Sequence, residues 1–138
     1  MIGTEPLFSW DDDFRYVKYY SSKDSSIKIE VCVRYAQLNQ LQAYQDQEAA
    51  PLLSRIDAIN ERIISNEFKV IRGKKVILVT CDYEQPKRKL NKGQAMRIVF
   101  NTSAGLTSVI VSHNYKNESD KENGKKLFST IVDKLEMH

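Results

Sequence analysis

The stretch Glu67 to Tyr115, EFKVIRGKKVILVTCDYEQPKRKLNKGQAMRIVFNTSAGLTSVIVSHNY, decides the fold of this chain. Within it Val76 to Glu84, Ala95 to Asn101 and Leu106 to Tyr115 are rich in β-branched and aromatic residues, and polar loops separate them. Such runs read as consecutive strands of an antiparallel meander. Val76-Ile77-Leu78-Val79 is apolar at every position, which predicts a strand covered on both faces. Arg72-Gly73 turns the chain into it from a short strand at Phe68 to Ile71, and Ser103-Ala104-Gly105 joins the last two strands.

Working toward the N-terminus, Ile27, Ile29, Val31, Val33 and Tyr35 alternate with Lys28, Glu30, Cys32 and Arg34. That is the period of a half-buried strand. Before it, Phe14 to Tyr20 forms a first strand, with a turn at Ser21 to Ser26. After it the period becomes helical: a Gln-rich segment begins at Leu38 and Leu41, and Leu52, Ile56, Ile59 and Ile63 then recur at spacings of three and four. Pro51 suits a first helical turn, so the spacing predicts a helix over 51–65. Toward the C-terminus, Leu127, Phe128, Ile131, Val132 and Leu135 form a second helical stripe, with Ser119 to Glu122 as the expected capping box. The fold class is therefore α+β, an antiparallel β-sheet with helices packed on it, in the order ββα-β-β-β-β-α.

At 138 residues the chain is one domain spanning 1–138, large enough to bury a core without disulfides or metal. Its 21 Lys and Arg against 18 Asp and Glu leave a net charge of +3 with both signs interspersed, unlike the basic stripe of a dedicated nucleic-acid binder. Cys32 and Cys81 each sit inside an apolar run and could meet on neighbouring strands. The absence of an apolar N-terminal segment points instead to reduced thiols in the cytoplasm. No run approaches the roughly 20 apolar residues that span a bilayer, so no membrane association is expected.

Candidate chemistry is sparse. His138 is terminal, and His113 lies in a strand beside Thr107, Val109, Val111 and Tyr115, which favours a hydrogen-bonded structural imidazole over a general base. Asp11-Asp12-Asp13 lacks the spacing of a calcium loop and reads as solvated. Glu67 and Lys69, with Asp82 as the second acid, could form a metal-dependent nuclease site. Lys87, Arg88, Lys89 and Lys92 form the one basic patch, which could touch phosphates with Tyr83 stacking a base. Their bracketing by Pro86 and Gly93 makes a solvated hairpin loop the simpler reading. No catalytic, cofactor-binding or metal-ligating residue is assigned. Phe14, Tyr16, Tyr19 and Tyr20, together with Phe8 and Trp10, carry more aromatic surface than a single edge strand usually buries; they either cap one end of the core or meet a partner, and Tyr16, Tyr19 and Tyr20 are the candidate partner contacts.

The segment Asn66 to Tyr83, with its turn at Gly73, followed by Ala95 to Phe100, Leu106 to Tyr115 and Leu127 to Leu135, resembles the PsbP-like superfamily and within it the DcrB-like branch. The resemblance implies a binding module. Members of this length include cytoplasmic chaperones that cradle the apolar N-terminal helices of type VI secretion effectors and act as homodimers. It thus implies a non-enzymatic chaperone or adaptor without cofactors, whose partner is a secreted effector. An immunity protein bound to a toxin is the alternative within the same class, and a nucleic-acid-binding or nuclease domain the alternative outside it. The Gln-rich segment and the basic hairpin depart from the family pattern.

Overall fold

The computed structural model describes residues 14–23, 26–34, 58–103 and 105–137. Six strands follow in chain order: β1 (Phe14–Ser21), β2 (Ile27–Arg34), β3 (Ile59–Ile71), β4 (Lys74–Glu84), β5 (Lys92–Thr102) and β6 (Gly105–Tyr115). One helix, α1 (Glu118–Lys134), closes the chain. The strands form a single antiparallel sheet in the order β1-β2-β6-β5-β4-β3. The α+β class expected from the sequence is thus the observed one.

Strand alternation divides the buried residues into two sets. Val76, Met96, Ile98, Phe100, Val109 and Val111 pack with Phe128 of α1, while Ile77, Val79, Cys81, Tyr83, Ala95 and Val99 fill the opposite face. Val76, Ile77 and Val79 are all fully buried, as the continuous apolar run of β4 predicts. Burying each such side chain is worth about 1.5–3 kcal/mol, so the sheet centre carries most of the stability.

The expected helix over 51–65 is corrected in its second half. Residues 51–57 lie outside the described residues, but Ile59, Ile63 and Ile64 belong to β3, which pairs with β4 from Ile71 opposite Lys74 to Ile59 opposite Glu84. The predicted short strand Phe68 to Ile71 is therefore the last part of a 13-residue one. Two physical effects hid it. Register shifts at 59–62 and 63–65 break the alternation of apolar positions, because a bulge inserts an extra residue on one strand. Asn60 adopts φ 54°, a left-handed conformation that asparagine tolerates better than most residues.

The cap of α1 also lies earlier than expected. Asn117 is the N-cap, its Oδ1 accepting from the Asp120 amide at 2.9 Å, and Asp120 Oδ2 accepts from the Lys116 amide at 3.0 Å. The box is Asn117 with Asp120, two residues before Ser119 and Glu122.

Cys32 and Cys81 are free and buried. β6 and β5 stand between their strands, so three strand spacings of about 4.8 Å set them roughly 14 Å apart. That is beyond the reach of a disulfide, so they do not meet on neighbouring strands. Burial, with smaller contributions from Glu61 and Asp82, pushes the Cys81 thiol from 9.0 up to about 12. Its contribution to stability is complete below pH 9 and drains away as pH rises from 9 toward 12, because the unfolded chain then gives up the thiol proton first. Tyr83, raised chiefly by burial above its ordinary 10.0, adds to that loss above pH 10. Urea melts at pH 8 to 11 are expected to show the decline, and Cys81→Ala should flatten its first part.

Candidate functional site

α1 lies over β6 and β5. Gly124 allows the close approach: a Cβ there would stand 2.2 Å from His113 Nδ1 and 2.5 Å from Gln94 Nε2. Alanine in place of glycine normally stabilises a helix by about 1 kcal/mol. Here Gly124→Ala is expected to destabilise by about 1–3 kcal/mol, because α1 must lift off the sheet; thermal melting checks the sign.

His113 is itself only 4% exposed. The Gln94 amide donates to its Nδ1 at 3.1 Å and to the Lys121 carbonyl at 2.8 Å. That leaves the ring proton on Nε2, which faces Asp120 Oδ1 at 3.6 Å. The imidazole is part of the packing between sheet and helix, as its place in the last strand suggested.

Because α1 covers β5 and β6, the same face over β4 and β3 stays open. A groove of about 800 Å³ results, with Ile71, Leu78 and Met96 among its floor residues and Phe128 and Val132 along its helical wall. Both ends are closed by cations. At one end Asp82 receives Arg62 at 3.3 Å and Lys121 at 3.4 Å, tying β3, β4 and α1 together. Partial burial pulls the Lys121 ammonium down, but Asp82 and Tyr115 outweigh it and hold Lys121 above its ordinary range. At the other end the Arg72 guanidinium donates to the carbonyls of Val132 (2.9 Å), Asp133 (3.2 Å) and Leu135 (2.6 Å). These are carbonyls at the C-terminal end of α1, where a cation is favoured. From Lys74 to Asp82, β4 spans about 26 Å between the two closures at ~3.3 Å per residue. Lys69, Lys125 and Asp133 also line the groove. An apolar trough with charged edges suits a segment that is apolar on one side and polar on the other.

The candidates named from sequence fare differently. β1 is the edge strand opposite β3, so its tyrosines stand five strand spacings, about 24 Å, from the outer edge of the groove. Tyr20 is 37% exposed; Tyr16 and Tyr19 pair through the backbone with Val33 and Glu30, and their side chains lie outside the described residues. Phe8, Trp10, Asp11, Asp12 and Asp13 lie outside them too. Glu67 and Lys69 pair with each other at 2.9 Å, but Glu67 stands opposite Leu78, four residues along β4 from Asp82. That is about 13 Å, so the nuclease trio is not assembled. Among the described residues no group of three or more His, Cys, Asp or Glu could hold a metal ion.

In the loop from Gln85 to Asn91 the cations Lys87, Arg88 and Lys89 are exposed. Tyr83, considered as a base-stacking aromatic, is 3% exposed. It is packed over Gly93 and hydrogen-bonded to Asn114, and cannot present its ring to a nucleotide. Sequence reasoning missed the groove because Leu78, Phe128 and Val132 read as core. No helix among the described residues is long and apolar enough to cross a membrane.

No family model matches the chain, and no curated protein matches it. Among solved structures it is similar to the crystal structure of PA94, a protein of unknown function from Pseudomonas aeruginosa, with a TM-score of 0.60 and 8% sequence identity over 99% of this chain and 97% of that one. At that identity the likeness is one of fold.

Proposed function

We propose that this domain is a non-enzymatic protein-binding module of the cytoplasm, a chaperone or adaptor that holds an apolar or amphipathic helix of a secreted partner. The observation that carries the reading is the groove between α1 and β4, with apolar residues on floor and wall and ion pairs at its rim. Helix-in-groove recognition buries client side chains that would otherwise aggregate in water. The PsbP-like resemblance supports the same class of role.

Where a neighbouring gene encodes a secreted protein with apolar helices, co-expression with that protein is expected to give a soluble complex. Leu78→Glu and Val132→Glu, which place a carboxylate on floor and wall, should abolish the complex while leaving the circular dichroism of the free domain unchanged. Tyr20→Ala should leave it intact; loss of binding there would move the contact to the β1 edge. A client that stays equally insoluble with and without the domain overturns the reading, and a co-purifying toxin domain would identify the immunity role instead.

A further inference from the structure

β3 ends the sheet, and its outer edge is open where it matters. Residues 66–70 are all exposed, with Phe68 at 40% and Val70 at 65%. Natural edge strands are usually blunted by proline, a bulge or an unpaired lysine. Between Ser65 and Ile71 the pairing with β4 is regular, there is no proline, and the Lys69 charge is matched by Glu67 at 2.9 Å.

The turn into β4 fixes which backbone groups point outward. Arg72 and Gly73 both have positive φ (48° and 77°) between the paired Ile71 and Lys74, the geometry of a two-residue type I′ hairpin. Its closing pair is hydrogen-bonded, so by alternation Lys69 and Glu67 also turn their backbone groups toward β4. Phe68 and Val70 then turn theirs away from the sheet.

We propose that β3 pairs antiparallel with β3 of a second copy, in the register that sets Phe68 opposite Phe68. Backbone geometry requires outward-facing residues to meet outward-facing ones, and charge selects among the registers that satisfy it. Centring the two-fold axis on Glu67 sets two carboxylates face to face, and centring it on Lys69 sets two ammonium groups face to face. Centring it on Phe68 places each Glu67 opposite Lys69 of the other copy, twice over. Directly opposed pairs of opposite charge stabilise antiparallel strands, and like charges destabilise them. On the other face the two Phe68 rings cover each other and the neighbouring Val70 side chains. Lys69 and Ile71 line the groove of each copy, so pairing lays the two grooves on either side of the axis. The contact stands independently of what the grooves bind.

Light scattering of the full chain without any client, at roughly 100 µM, the middle of a weak-dimer range, is expected to give a dimer mass. Glu67→Lys and Lys69→Glu, each alone, should weaken the dimer about tenfold. Mixing those two variants in equal amounts should restore it, because every opposed pair is then of opposite sign. Phe68→Lys should give a monomer with unchanged circular dichroism. A monomeric wild type, a dimer indifferent to Phe68→Lys, or a charge-variant mixture no tighter than its components overturns the proposal.

Discussion

Replacing Phe128 with alanine is expected to cost about 3–5 kcal/mol, the largest effect of any single truncation on α1. Phe128 is the helix's most buried large apolar side chain, 6% exposed, and it packs with Val76, Met96, Ile98 and Phe100 at the sheet centre. Other anchors at the end of the chain such as Ile131 and Leu135 are only partly buried, so they cannot hold the helix once the central contact is gone. The same change removes the groove's wall, since Phe128 lines it. Denaturant unfolding should show the loss, and any helix-binding activity should fall with it. Phe128→Leu, which keeps most of the volume, should recover most of the stability.

Asn114→Ala is expected to cost about 3 kcal/mol, although it deletes a small polar side chain. Asn114 is 6% exposed. It accepts from the Tyr83 hydroxyl at 2.5 Å and donates to Gln85 Oε1 at 2.8 Å and the Leu90 carbonyl at 2.7 Å. Removing it takes one hydrogen-bond partner each from the Tyr83 phenol, the Gln85 amide oxygen and the Leu90 carbonyl, and a net loss of about 1 kcal/mol for each bond is typical. The basic loop from Gln85 to Asn91 is pinned to β6 mainly through this side chain. Hydrogen exchange should accelerate in that loop, and Asn114→Asp should not rescue, because a carboxylate cannot donate to Leu90 or Gln85.

The meander was legible because β4, β5 and β6 each carry apolar residues in unbroken or alternating runs, and β2 because Ile27 to Val33 alternates so regularly. α1 was legible from Phe128, Ile131 and Val132. β3 was not: its bulges scatter Ile59, Ile63, Ile64, Phe68 and Val70 off any single period. The groove left a signal that could have been used. Along β4 the row Ile77, Val79, Cys81, Tyr83 stays buried to its end, while Val76, Leu78, Thr80, Asp82 grades from apolar to charged. One face is covered throughout and the other only in part, and the gradient marks where α1 stops covering it. The packing of His113 against Gly124 and Gln94 had no such trace, because those residues are distant in sequence and meet only when α1 docks.

Arg72 links the tightest turn of the chain to its last helix. It occupies a left-handed position that usually falls to asparagine or glycine, and its guanidinium holds carbonyls 60 to 63 residues away. This latch is exposed and made of polar contacts that water can replace, whereas Phe128 is bolted into the core. If the groove holds a helix as proposed, the Arg72 end is the side that would yield first to a bulky segment, since its contacts can be exchanged for water while Phe128 stays packed in the core.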